Sequence, residues 1–165
     1  MFFCLGLAMS TAQDNRLHFR SIGLGVGAAT TSSSEAKTGL NLNIDLVTNV
    51  NRHLFSFYFN LGLKLNTIEP KESFGELNLT YGRTFALSTH WNLEGHVGAG
   101  LFIYDHAYSS NYFGNVPEAA LGIPIRIKLI YRPTEQIGLG INPNINFNAL
   151  YNTYSASFLV QYQFK

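Results

Sequence analysis

Glu94 and His96 stand two residues apart, and Arg126 and Lys128 repeat that spacing further along the chain. In an extended chain such pairs share one face. There a carboxylate can orient an imidazole that acts as a general base. That chemistry needs a nucleophile, and no serine lies beside Glu94 or His96 on their own stretch. The catalytic reading is therefore a lipid-modifying hydrolase with His96 as base and Glu94 holding it, short of its third member. The second reading is electrostatic. Asp45, Lys64, Glu76, Glu94, His96, Arg126 and Lys128 all fall on the polar faces of alternating segments. Charges confined inside a narrow fold must pair, because an isolated buried charge is very costly. Pairing the segments through their loops sets Lys64 near Glu76, and Glu94 and His96 near Lys128 and Arg126. We read the seven as an interior charge network and assign no catalytic, cofactor-binding or metal-binding residue. His53, His90 and His106 stand singly, without the spacing of metal ligands, and read as solvated turn residues.

The elements that position these groups are strands. From Leu54 to Asn66 the odd positions are Phe55, Phe57, Phe59, Leu61, Leu63 and Leu65, while the even ones include Ser56, Asn60, Gly62, Lys64 and Asn66. A period of two sustained this long marks a β-strand, because helical spacing would carry Asn60 and Lys64 onto the apolar stripe. The stretch exceeds the roughly five or six residues of an ordinary strand and reaches the roughly 9–11 that a tilted strand needs to cross a bilayer.

Seven further segments repeat the design: Leu17–Ala29, Gly39–Val47, Gly75–Ala86, Trp91–Tyr104, Ala119–Tyr131, Ile137–Asn148 and Tyr154–Phe164. In the first, Ile22, Leu24, Val26 and Ala28 oppose Ser21, Gly23, Gly25 and Gly27. Gly23-Leu24-Gly25 begins like a nucleotide loop, but Ala28 stands where a third glycine would, and no ribose-binding acid follows. Glycines on one strand face read as room inside a narrow barrel. Pro143, outward and mid-strand, reads as a bulge. Eight strands joined by hairpin-length connections make an all-β, antiparallel, up-and-down barrel with both termini at one end and no free edges. The connections after the second, fourth and sixth strands are tight, whereas 30–38, 67–73 and 105–117 are longer loops.

Two architectures share this alternation. A soluble eight-stranded barrel, such as a lipocalin-like carrier, turns its apolar face inward around an apolar ligand, and a membrane barrel inverts it. Charged residues are only 13% of the 165 residues and the net charge is +1, too little for a solvated surface and no footprint for nucleic acid. The apolar faces carry Arg83 inside a strand and Arg20 near an end. Arg83 lies close to the turn-side end of its strand, where an arginine reaches headgroups. Phe55, Phe85, Trp91, Tyr131 and Phe164 all fall at turn-side strand ends, where an aromatic girdle sits. The expectation is a transmembrane β-barrel over residues 13–165, facing outer-membrane lipid. Residues 1–12 read as the end of a signal peptide, with an apolar core from Phe2 to Ala8 and cleavage after Ala12. Cleavage removes Cys4, the single cysteine, and with it any thiol chemistry.

The final strand, FLVQYQFK, carries Tyr162 and Phe164 and resembles the C-terminal strand of outer-membrane proteins, departing from it in Lys165. The architecture as a whole resembles the small eight-stranded outer-membrane barrels, the superfamily of the OmpA transmembrane domain, OmpX and OmpW. That resemblance implies the outer membrane of a Gram-negative bacterium and recognition of Tyr162 and Phe164 by the barrel-assembly machinery. It implies no cofactor and no particular activity. An eight-stranded interior is just wide enough for side chains to fill, so a general porin is disfavoured and only a narrow solute or proton path stays open. The loop 105–117, with Tyr104, Tyr108, Tyr112 and Phe113, reads as a surface for an envelope protein partner, or as a cover folded over the mouth.

Overall fold

The structure, a computed structural model, describes residues 17–32, 38–65, 70–106 and 117–164, without the side chains at 64, 65, 70–72 and 106. Residues 1–12 with Cys4, read above as a signal peptide, and Tyr108, Tyr112 and Phe113 lie outside the described residues. So does the side chain of His106.

Eight strands follow one another: β1 (His18–Thr31), β2 (Gly39–Val50), β3 (His53–Leu65), β4 (Pro70–Ala86), β5 (Trp91–His106), β6 (Glu118–Tyr131), β7 (Ile137–Asn148) and β8 (Thr153–Gln163). Each pairs antiparallel with the next, and β1 pairs with β8, closing an up-and-down barrel without a free edge. The turn between β2 and β3 narrows to Asn51 and Arg52, where Asn51 takes a left-handed φ of 56°, a conformation that asparagine tolerates better than most residues. β4 starts at Pro70, earlier than the alternation suggests. A proline there is compatible with the fold because the first residue of a strand can lack a ladder donor.

The inversion is plain in the side chains. Leu42, Ile125 and Phe158 are 54%, 43% and 54% exposed, while Asn43, Asn144 and Arg126 are 2%, 1% and 0% exposed. An apolar-ligand carrier would show the reverse, so the lipocalin-like alternative is excluded. The expected girdle is present on the outside at the turn end, with Trp91 against Tyr131 at 5.2 Å and Phe55 edge-on to Tyr81 at 5.8 Å between ring centroids. Arg83 is exposed beside it, and its Nε donates to the Tyr81 hydroxyl at 3.3 Å.

Three expectations change. Arg20 faces in, because an irregularity between Phe19 and Ser21 breaks the alternation of β1 and swings its guanidinium to Glu94. Pro143 makes no bulge: the β6–β7 and β7–β8 registers run straight past it, with the ladder merely interrupted where proline has no N–H. Tyr104 is no loop aromatic, being 1% exposed inside the barrel.

The interior is layered. Along β4 and β5, the inward positions nearest the longer loops are Phe74, Phe102 and Tyr104, which form a buried cluster with Ala29. Phe102 stacks on Phe74 at 5.9 Å, and Tyr151 tilts against Tyr104 at 4.8 Å. Buried Val47, Leu54, Ile130 and Leu159 lie towards the turns. Polar groups share the rest of the lumen with them, from Glu76 beneath the aromatic cluster to Gln161 and Arg20 at the turn end.

Candidate functional site

The middle layer is organised by Asp45 on β2. Arg126 reaches it from β6 across the lumen, its Nη1 3.3 Å from Oδ2 and its Nη2 donating to Oδ1 at 3.4 Å. Lys128, two residues on and so on the same face, places Nζ 2.8 Å from Asp45 Oδ2 and 2.8 Å from Glu94 Oε2. Arg126 also donates to Ser56 Oγ at 2.7 Å and Thr80 Oγ1 at 3.2 Å, and its guanidinium carbon lies 3.9 Å from the centre of the Tyr58 ring. Ser56 in turn donates a short hydrogen bond to Asp45. A planar guanidinium suits this setting because its fork can bond a carboxylate while its face stacks on a ring.

Glu94 carries the network towards the turn-side mouth. Arg20 Nη2 donates to Glu94 Oε1 at 3.2 Å, and Arg132 Nη2 comes within 4.0 Å of the same oxygen. Burial draws the Arg132 guanidinium below its ordinary value, and Arg20 adds to that while Glu94 opposes it. The two arginines keep roughly a fifth of their side-chain surface exposed, while Glu94 keeps none.

In the β5–β6 register Glu94 lies opposite Lys128 and His96 opposite Arg126. Lys64, whose side chain lies outside the described residues, does not stand opposite Glu76 in the β3–β4 register. Lys64 stands opposite Glu72, and Glu76 stands opposite Asn60, because the β3–β4 connection is shorter than the alternation implies. Four residues of strand separate the two levels, about 13 Å at the usual rise. Glu76 instead sits among amides, with Asn78 Nδ2 3.1 Å and Asn144 Nδ2 3.4 Å from its Oε2.

The hydrolase reading meets a precise geometry here. Thr80 supplies the hydroxyl that β5 lacks, its Oγ1 3.4 Å from His96 Nδ1, and His96 Nε2 lies 3.6 Å from Glu94 Oε2. Yet Thr80, His96 and Glu94 are 4%, 3% and 0% exposed, and Arg126 already donates to the Thr80 hydroxyl. A nucleophile must meet its substrate within hydrogen-bond reach. Buried inside the lumen beneath the aromatic cluster, with its hydroxyl already bonded, this trio presents no open pocket to a substrate. Among the described residues no group of three His, Cys, Asp or Glu side chains is placed to hold a metal ion.

No protein-family model and no curated protein sequence matches the chain. Solved structures do. Neisserial surface protein A superposes with a TM-score of 0.77 over 90% of this chain and 99% of that one, at 11% identity. The fold is that of a small outer-membrane barrel. Ail, the attachment invasion locus protein of Yersinia pestis, matches with a TM-score of 0.63 over 89% of this chain and 99% of its own, at 15% identity. The N-terminal β-barrel domain of Pseudomonas aeruginosa OprF reaches 0.54 over 87% and 97%, at 13% identity. At such identities the likeness concerns the fold. The apolar exterior is this barrel's own, and with that fold it is the surface of a barrel that spans a membrane.

Sequence reasoning missed the inward apolar residues that close this barrel. Their signal is a break in alternation where two or three large apolar residues run together: Leu46-Val47, Leu54-Phe55, Leu101-Phe102-Ile103, Leu129-Ile130 and Phe158-Leu159-Val160. One member of each run must face inward.

Proposed function

We propose that the barrel is a non-catalytic, non-conducting outer-membrane protein that acts through its surface-exposed loops on an envelope or extracellular partner. The observation that carries this reading is the closed interior. The aromatic cluster fills the loop end of the lumen, and beneath it Asp45, Glu94, Arg126 and Lys128 are buried and paired with one another. Catalysis would need an open pocket at Thr80, His96 and Glu94, and conduction would need a continuous polar lumen. What is left for function is the rim, and loops on a rigid scaffold are where binding residues concentrate. The reading is supported by analogy with Ail, of which a second structure, with a TM-score of 0.59 at 16% identity, holds the heparin analogue sucrose octasulfate. Tyr108, Tyr112 and Phe113 are the side chains we assign to the contact, and Tyr162 and Phe164 those read by the barrel-assembly machinery.

Cross-linking on intact cells, followed by pull-down from detergent-solubilised membranes, tests the interaction. The native chain is expected to retain a stoichiometric companion that the triple variant Tyr108→Ser, Tyr112→Ser, Phe113→Ser loses. Recovery of the same companion by both chains would remove the loop from the reading. In planar bilayers the purified barrel is expected to be silent, and reproducible current steps would contradict the closed interior.

A further inference from the structure

Glu76 is the carboxylate that the ion cluster leaves out. It is 1% exposed, and among the described residues no cation lies within ion-pair distance of it. The Asn146 and Asn60 amides lie beside the carboxylate, but its Oε1 makes no hydrogen bond of good geometry, and neither do Asn78 Oδ1, Asn144 Oδ1, or the nitrogen and oxygen of Asn146. These three asparagines are all at most 1% exposed. Buried polar atoms are nearly always satisfied by protein or by something bound, so an unpartnered group this dense points to an occupant.

The backbone beneath them is shaped for it. Gly100 and Gly122 face each other across β5 and β6. A Cβ built on Gly100 would come within 2.1 Å of Asn78 Oδ1, and one on Gly122 within 2.2 Å of Asn146 Oδ1. The two missing side chains are what let these amide oxygens swing over the sheet from β4 and β7. Asn78 and Asn146 so bring their oxygens in over the same pair of opposed glycines from the two neighbouring strands. Asn78 and Asn144 turn their nitrogens to Glu76 Oε2, which leaves their oxygens free.

We propose that this cradle is a cation site, in which Glu76 and the amide oxygens of Asn78, Asn144 and Asn146 ligate a hard metal ion. The donor set is entirely oxygen, which suits Ca2+, Mg2+ or Na+ over softer metals. Neutral amides around a single carboxylate form a flexible shell. Ca2+ accepts such a shell readily, whereas Mg2+ demands a near-ideal octahedron. Water could satisfy the amides, and a cation would in addition offset the charge of an ionised Glu76. The site lies beneath the aromatic layer of Phe74, Phe102 and Tyr104, so the ion enters as the barrel closes. This inference is independent of the partner-binding role of the loops.

The full chain is refolded into detergent micelles with millimolar Ca2+, Mg2+ or Na+, or with chelator and a bulky organic cation. Its thermal midpoint is then followed against ion concentration. Ca2+ is expected to raise the midpoint progressively, as a ligand of the folded state must, with Mg2+ weaker. Glu76→Gln, which keeps the size of the side chain, is expected to abolish the dependence, and Asn146→Ala to weaken it. A native midpoint indifferent to all three ions would overturn the proposal. So would a Ca2+ response of equal size in Glu76→Gln, which would place the ion elsewhere. Should either variant fail to fold, calcium bound per refolded native barrel after gel filtration decides: about one ion supports the site, and none removes it.

Discussion

Replacing Asp45 by alanine will destabilise the folded barrel by about 3–5 kcal/mol, the cost typical of stranding a buried charge. Two cations depend on this carboxylate: Arg126, with Nη2 donating to it and Nη1 3.3 Å away, and Lys128 at 2.8 Å. Without Asp45, Arg126 keeps only neutral partners, Ser56, Thr80 and the Tyr58 ring, while Lys128 still has Glu94. The effect of His96→Ala will be far smaller, because the imidazole only borders the network, 3.6 Å from Glu94 and 3.4 Å from Thr80. Urea titration in micelles, followed through the fluorescence of Trp91, the single tryptophan, reads both. Equal losses for the two variants would mean that Asp45 is not the centre of the cluster.

The second large effect belongs to the outer surface. Ile125→Arg places a cation in the middle of β6, at a residue 43% exposed and paired with Val97 and Ile145. In a bilayer this will cost about 2–4 kcal/mol, against about 0–1 kcal/mol for Phe85→Arg at the turn-side girdle, where a long side chain reaches headgroups. The contrast between the two positions carries the information. A water-facing exterior would tolerate both substitutions alike, so similar stabilities after refolding into vesicles would count against a lipid-facing belt.

These expectations also show which parts of the barrel can be read from its sequence. Alternation is local, so Phe55, Phe57 and Phe59 against Ser56 and Asn60 give strand, face and length from a dozen residues. The facing of Glu94 and Lys128 follows from hairpin pairing alone. The Asp45–Arg126 bond does not, because β2 and β6 are not sequence neighbours and meet only when the barrel closes and brings their inner faces across one lumen. Arg20 was hidden for a different reason. A single irregularity beside it reverses its side, and nothing in the run His18-Phe19-Arg20-Ser21 announces that shift. Lys64 and Glu76 show the sensitivity of register to loop length. Beginning β4 at Pro70 slides Glu76 down to Asn60 and the amide layer. The Gly100–Gly122 floor is likewise a cross-strand property. Each glycine reads only as space until pairing shows whose side chain fills it.

The account rests on the orientation of the apolar face, and one spectroscopic measurement reaches it directly. Phe158→Trp in a Trp91→Phe background puts the sole indole at the middle of β8, on the surface assigned to lipid. The folded barrel is then reconstituted into vesicles whose acyl chains carry bromine at mid-depth. Strong quenching by the brominated lipid, with little by aqueous iodide, is the predicted result. Emission unaffected by bromine and quenched by iodide would show that this face meets water, contradicting the inversion on which the closed ionic interior depends.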